Sequence, residues 1–146
     1  MTPSLYSQAI KLSETEYIET AEVLSAYQNS VLYCSGGYYF HASKGFVGTQ
    51  AVDFVSSVKA DVCIIGASGV SAEDGITTPY PMHTLLQKAI ISSAQTKILV
   101  CDHSKFGKTA MEKICELSGI DIIVTDSGIS DEVFEKFSKQ IKIVKA

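Results

Sequence analysis

The chain has 146 residues, 46% of them hydrophobic and 19% charged, with a formal net charge of −4. At this length roughly 70% of the unfolded surface leaves water on folding, enough for one core without disulfide or metal staples and too little for two full domains. All 12 basic residues are lysines, and the lack of arginine argues against a nucleic-acid surface and for a small ligand.

Residues 5–12 make a short apolar-periodic piece, and residues 13–28 predict a helix. Ser13 and Glu16 stand at capping-box spacing, while Tyr17, Ala21, Leu24 and Tyr27 recur at three- and four-residue steps. Residues 31–34 read as a compact strand stopped by Ser35, Gly36 and Gly37, and the paired glycines let backbone pass close to a neighbour. An aromatic stretch (Tyr38, Tyr39, Phe40) leads to a turn at 45–48, then to a helix over 49–58 with Ala51, Phe54, Val55 and Val58 on one side.

From there strands and helices alternate regularly. Residues 61–65 are a strand, apolar after its first residue, followed by a glycine-rich loop that opens with Gly66, Ala67, Ser68 and Gly69 and runs to Pro81. Glu73 and Asp74 in that loop read as solvent-facing turn residues. A helix over 82–94 carries Leu85, Leu86, Ala89 and Ile90 as its buried stripe, with His83 in the first turn. A strand at 97–101 ends at Asp102, a helix spans 109–117, and a strand at 120–124 ends at Thr125 and Asp126. Ser130 and Asp131 cap a helix to residue 139, and residues 142–144 close the chain as a strand.

Strands apolar on both faces and separated by helices predict an α/β fold with a mainly parallel sheet flanked by helices on both sides. No repeat or low-complexity linker marks an internal boundary, so residues 1–146 are expected to form a single domain. The longest apolar runs are a few residues, far from the ~20 that span a bilayer. The N-terminus lacks the charged-then-apolar pattern of a secretory signal, and the chain is expected in the cytoplasm without a membrane partner. Cys34, Cys63, Cys101 and Cys115 show no CxxC spacing and are expected as buried, reduced thiols.

In an open α/β sheet, ligands lie beyond the carboxyl ends of the strands. Here those ends carry Gly36 and Gly37, then Gly66 to Gly69, then Asp102, His103, Ser104 and Lys105, then Thr125, Asp126 and Ser127. The glycines offer backbone amides without obstruction, the groups that cradle phosphate or carboxylate. Lys105 would take negative charge and Asp102 would accept from hydroxyls, which describes a pocket for a small, anionic, hydroxyl-rich molecule. The same residues have plainer roles open to them: Gly36 and Gly37 as a turn, Asp102 as a helix cap, Lys105 as a solvated side chain. His41, His83 and His103 are scattered without metal-ligand spacing, and no catalytic elbow, Walker loop or dinucleotide fingerprint occurs. No metal, cofactor or catalytic set is therefore expected.

Five blocks in order carry a family resemblance. They are residues 60–70 (ADVCIIGASGV), residues 73–77 (EDGIT), residues 88–91 (KAII), residues 98–107 (ILVCDHSKFG) and residues 120–126 (IDIIVTD). The chain resembles the C-terminal effector-sensing domain of DeoR-type transcriptional repressors, in which the D-x-S-K-F-G and I-D-x-x-[IV]-T-D blocks are hallmarks. Gly36 with Gly37, and Phe46-Val47-Gly48, match the G-G and F-x-G positions of that family, so the resemblance covers nearly the whole chain.

The resemblance implies a fold similar to ribose-5-phosphate isomerase, glucosamine-6-phosphate deaminase and CoA transferases, used for sensing a phosphorylated sugar and not for turnover. It implies that DNA is held by a helix-turn-helix domain that is not in this chain, and that Asp102, Ser104 and Lys105 belong to the sugar-phosphate site, with Gly36, Gly37, Gly66 and Ser68 supplying walls or amides. Two departures stand out: the DNA-binding module and the first sensor strand, with its D-x-G-[ST]-T phosphate loop, have no counterpart. The chain opens at Thr2, Pro3, Ser4 and Leu5, similar to the following T-N-S-L block with Pro3 in place of Asn, and Thr2 and Ser4 join the candidate site on that match. A sheet lacking its first strand would expose an edge and favour a homo-oligomer. The competing readings are a sugar-phosphate isomerase or deaminase of the same fold, and an interaction module that oligomerises without ligand.

Overall fold

The computed structural model describes residues 11–15, 17–28 and 30–146. The chain falls into two compact units, Met1–Phe54 and Val55–Ala146.

In the first unit, β1 (Lys11–Thr15) runs parallel to β2 (Ser30–Cys34), in register from Lys11 opposite Ser30 to Thr15 opposite Cys34. The short helix α1 (Ile18–Ser25) makes the crossover that a parallel pair requires. This corrects the helix expected over 13–28. Ser13 is a strand residue, and the helix starts after an extended Tyr17 that provides no side-chain cap. Five residues of ladder pairing outweigh a capping-box spacing, because each paired residue satisfies backbone groups that a cap satisfies only once. The stretch expected as an aromatic run and a turn is a hairpin, β3 (Tyr38–Phe40) against β4 (Gly45–Val47), with Lys44 at φ 56° in the connection. Helix α2 (Thr49–Ser56) follows, close to its expected span, with Ala51 buried.

The second unit is built on a four-stranded parallel sheet in the order β11–β10–β8–β5. Its strands are β5 (Ala60–Ile65), β8 (Ala94–Val100), β10 (Ile122–Thr125) and β11 (Lys142–Lys145). The fold is α/β, as the alternation predicts. Helix α3 (Pro81–Ser93) starts with proline at the position where its missing N–H costs nothing. Helix α4 (Asp131–Ser138) is capped by Ser130, whose hydroxyl accepts from the Val133 amide at 3.3 Å.

Two predicted segments change identity. The glycine-rich loop from 66 to 81 contains a hairpin of two fully buried strands, β6 (Gly69–Ser71) and β7 (Gly75–Thr78), joined by a turn in which Glu73 and Asp74 are exposed as expected. The helix predicted over 109–117 is instead strand β9 (Glu112–Cys115), antiparallel to β7 with Thr78 opposite Glu112. A buried strand leaves costly unpaired N–H and C=O groups on its open edge, and β9 satisfies them despite a sequence of good helix formers.

The core of this unit centres on Val70, Ile76, Leu86, Leu99 and Ile123, each essentially inaccessible to water. Cys63, Ile65, Leu99, Ile123 and Ile143 form the buried face of the parallel sheet. The opposite face corrects the expectation of burial on both sides: Val62, Ile64, Val100 and Val144 are exposed, Ile64 by 69%. The buried stripe of α3 is also rotated from the predicted one. Leu85 is 66% exposed, while His83, Thr84 and Gln87 join Leu86 and Ile90 inside. All four thiols are unpaired, but Cys34 is exposed where burial was expected. Among the described residues no helix is long and apolar enough to cross a membrane.

Candidate functional site

The parallel register of the second unit brings three strand ends side by side. Ile65 pairs with Leu99 and Val100 with Val124, so Gly66, Asp102 and Asp126 emerge from the carboxyl ends of adjacent strands. The amide of Cys101 donates to the Val124 carbonyl at 3.1 Å, which extends the β8–β10 contact to the last residue before Asp102. A Cβ on Gly66 would stand 4.0 Å from the Val100 carbonyl oxygen, so the Gly66 turn and the end of β8 are close neighbours.

Asp102 caps a single turn of 3₁₀ helix formed by His103–Lys105, accepting from the Ser104 amide at 2.8 Å. Hydrogen bonds from the Ser104 hydroxyl and amide hold the Asp102 carboxyl below the usual range, so it is ionised. The cap role and an acceptor role are compatible, since a carboxylate has about four lone-pair sites and the turn uses few of them. Lys105 is half-buried, and its charge reaches Asp102. Behind the turn, burial pushes the Cys101 thiol up to about 11, the neighbouring Asp102 charge adding to the effect.

A second carboxylate organises the same turn. Asp126 accepts from the His103 amide at 2.6 Å, from His103 Nδ1 at 2.7 Å and from the Gly128 amide at 3.1 Å. The side-chain and backbone bonds from His103 hold its carboxyl down at about 2. Sequence reasoning placed Asp126 and His103 among the strand-end residues and gave neither a role in the site. The signal available was positional, because His103 follows the end of β8 by three places and Asp126 the end of its parallel neighbour β10 by one.

The 3₁₀ turn is also anchored from the other side. Gly107 donates to the Val70 carbonyl at 2.8 Å, and the Phe106 ring packs edge-on against Phe137 with centroids 5.0 Å apart. The buried Thr77 hydroxyl accepts from the Ala110 amide at 2.9 Å and itself lies 3.3 Å from the Gly69 carbonyl. These ties, which the sequence did not reveal, fasten the segment after Lys105 onto the β6–β7 hairpin. Ser68 is fixed by its amide, which donates to the Thr77 carbonyl at 3.1 Å.

Within the first unit, Gly36 and Gly37 sit at φ 70° and 97° in the turn between β2 and β3. A Cβ on Gly37 would collide with the Val47 carbonyl, so that position admits only glycine. Gly37, Tyr38, Val47, Gly48, Thr49 and Gln50 line a cleft of about 250 Å³. The remaining two candidates, Thr2 and Ser4, lie outside the described residues. Among the described residues no three His, Cys, Asp or Glu side chains gather in a way that could hold a metal ion.

Residues 13–127 match the model of the DeoR C terminal sensor domain. The chain is 32% identical over 114 residues to the glycerol-3-phosphate regulon repressor of Escherichia coli (strain K12), covering 77% of this chain and 45% of that protein. It is 32% identical over 112 residues to the HTH-type transcriptional repressor GlcR of Bacillus subtilis (strain 168), covering 77% and 43%. It is 28% identical over 130 residues to the transcriptional repressor AccR of Agrobacterium fabrum (strain C58 / ATCC 33970), covering 86% and 50%. The chain thus spans about half the length of the curated relatives it matches. With more than two thirds of its residues inside the family match, this chain belongs to the DeoR C-terminal sensor domain family.

Proposed function

We propose that this chain is the effector-sensing domain of a transcriptional repressor of carbohydrate metabolism, and that its effector is a small phosphorylated sugar. The observation that carries the reading is the position of Asp102, Ser104 and Lys105 beyond β8, beside the Gly66 turn, in a chain of the sensor family. Lys105 meets the phosphate, Asp102 accepts from sugar hydroxyls, and Ser104, Ser68 and Gly66 complete that wall. Gly36 and Gly37, in the first unit, and Thr2 and Ser4, outside the described residues, are candidates on the family resemblance alone. The glycerol-3-phosphate regulon repressor among the relatives supports a small phosphorylated compound as the ligand class.

The family match runs across the boundary between the two compact units, which supports treating residues 1–146 as one functional domain. DNA is contacted through a helix-turn-helix domain outside this chain, and the chain assembles as a homo-oligomer. The effector then acts by binding one regulatory state more tightly than the other, since equal affinity shifts nothing.

Calorimetric titration with ribose 5-phosphate, glucosamine 6-phosphate, fructose 6-phosphate and glycerol 3-phosphate tests the reading. At least one binds, and at 100 times its Kd it adds about 2.7 kcal/mol of stability. Lys105→Met loses that binding while the melting temperature without ligand stays unchanged. Absence of binding by every compound overturns the reading, and conversion of any of them to product replaces sensing with catalysis.

A further inference from the structure

His103 has a geometry that a purely structural residue does not need. Its Nδ1 lies 2.7 Å from Asp126 Oδ2, and its own amide is 2.6 Å from Asp126 Oδ1. Asp126 is ionised and can only accept, so Nδ1 carries the proton. In the neutral imidazole the lone pair is therefore on Nε2. The ring fits there only because residue 128 is glycine: a Cβ at that position would stand 2.5 Å from Nδ1 and 2.6 Å from Cε1. The side chain is nonetheless half-exposed, and Nε2 makes no hydrogen bond among the described residues. One ring nitrogen is held by a carboxylate that the His103 and Gly128 amides in turn hold, and the other nitrogen of this half-exposed ring is left to accept from a partner.

We propose that His103 is a binding residue of the effector site, its Nε2 accepting a hydrogen bond from a hydroxyl of the phosphorylated sugar, and that Asp126 is the residue that positions it. The inference rests on the effector-site reading above and extends it. His103 sits between Asp102 and Lys105 in sequence, on the turn that faces the strand ends. Asp102 and His103 then offer two hydroxyl acceptors of different geometry, and Lys105 the cation. Such a combination favours polyhydroxylated phosphates over simple ones, because each further hydroxyl finds an acceptor. Gly128 is part of the device, since any larger residue would displace the ring.

The test uses the full chain with ribose 5-phosphate, glucosamine 6-phosphate, fructose 6-phosphate and glycerol 3-phosphate. Long-range ¹H–¹⁵N spectra of the wild type identify the Nδ1–H tautomer of His103, and its Nε2 resonance shifts when a binding compound is added. His103→Asn keeps a donor at the Nδ1 position for Asp126 and deletes Nε2. It retains the melting temperature and weakens the bound compound about five- to tenfold, the value of one hydrogen bond. A static Nε2 resonance at saturation, or unchanged affinity in His103→Asn, overturns this inference alone if Lys105→Met still abolishes binding. If no compound binds the wild type, the effector-site reading fails and this inference falls with it. The spectrum needs no variant, so a His103→Asn chain that does not fold leaves the wild-type result to decide.

Discussion

The side-chain amide of Gln87 donates to the backbone carbonyl of Gly66 at 3.3 Å, joining the buried face of α3 to the turn that leaves β5. Gln87 is almost fully buried, and its Oε1 has no hydrogen-bond partner among the described residues. An acceptor left unpaired in the interior carries a cost, and the bond to Gly66 is what fixes the orientation of the amide. Helix position thereby sets the shape of the Gly66 turn.

Replacing Gln87 by Glu puts a carboxylate against the Gly66 carbonyl in a site without a donor. The expected loss is about 2–4 kcal/mol at neutral pH, the range for an uncompensated buried charge. Its folded-state pKa is raised, so the loss is full above that raised value, shrinks as the pH falls from it toward the ordinary glutamate range, and is gone below that range. Urea denaturation at pH 7 and at pH 4 checks this, with Gln87→Glu approaching the parent at the lower value.

Two glycines separate steric fit from backbone strain. A Cβ on Gly69 would collide with the Lys108 carbonyl and come within 2.5 Å of Thr77 Oγ1, where the segment after Lys105 docks. Gly107 has φ 75° but open space around it. Gly69→Ala is expected to cost about 1–3 kcal/mol through overpacking, and Gly107→Ala about 1–2 kcal/mol through left-handed strain alone. Amide hydrogen exchange distinguishes them: Gly69→Ala also deprotects Ala110, whose amide bonds to Thr77, while Gly107→Ala leaves it protected.

Stability falls at both ends of the pH scale for identifiable reasons. Burial lowers the pKa of His83, so below about 6.5 the unfolded chain takes up a proton that the folded chain refuses, and stability drops with falling pH. The slope is at most about 1.4 kcal/mol per pH unit, and His83→Gln flattens it. At the alkaline end, burial raises Cys101 and Cys115 from 9.0 to about 11. Between those values the unfolded thiols ionise first, so stability falls as pH rises, and Cys101→Ala reduces the slope. Unfolding curves from pH 5 to 11 measure both limbs.

Leu99 is fully buried at the centre of the parallel sheet, where the hydrophobic pattern was clearest. Leu99→Ala is expected to cost about 2–5 kcal/mol in a denaturant titration. Strands like β8 and β10 were legible because a short apolar run flanked by polar ends has few other uses. The β6–β7–β9 sheet was not, since Gly69–Ser71 and Gly75–Thr78 are buried by tertiary contacts that leave no periodic trace, and β9 has a helix-like composition. Capping-box spacing at Ser13 misled for the same reason: pairing partners distant in sequence decide between helix and strand. In the candidate site, Asp102, Ser104 and Lys105 could be read from the sequence block. The hold of Asp126 on His103 depends on strand register and could not.

The uncovered row of Val62, Ile64, Val100 and Val144 decides how such experiments must be read. Environment-sensitive dyes that brighten on apolar surface will stain the native chain before any heating, compressing the very signal used to follow melting. With seven tyrosines and no tryptophan, intrinsic ultraviolet emission starts from a weak reporter as well. Heat capacity and circular dichroism are the observables that this molecule leaves undistorted.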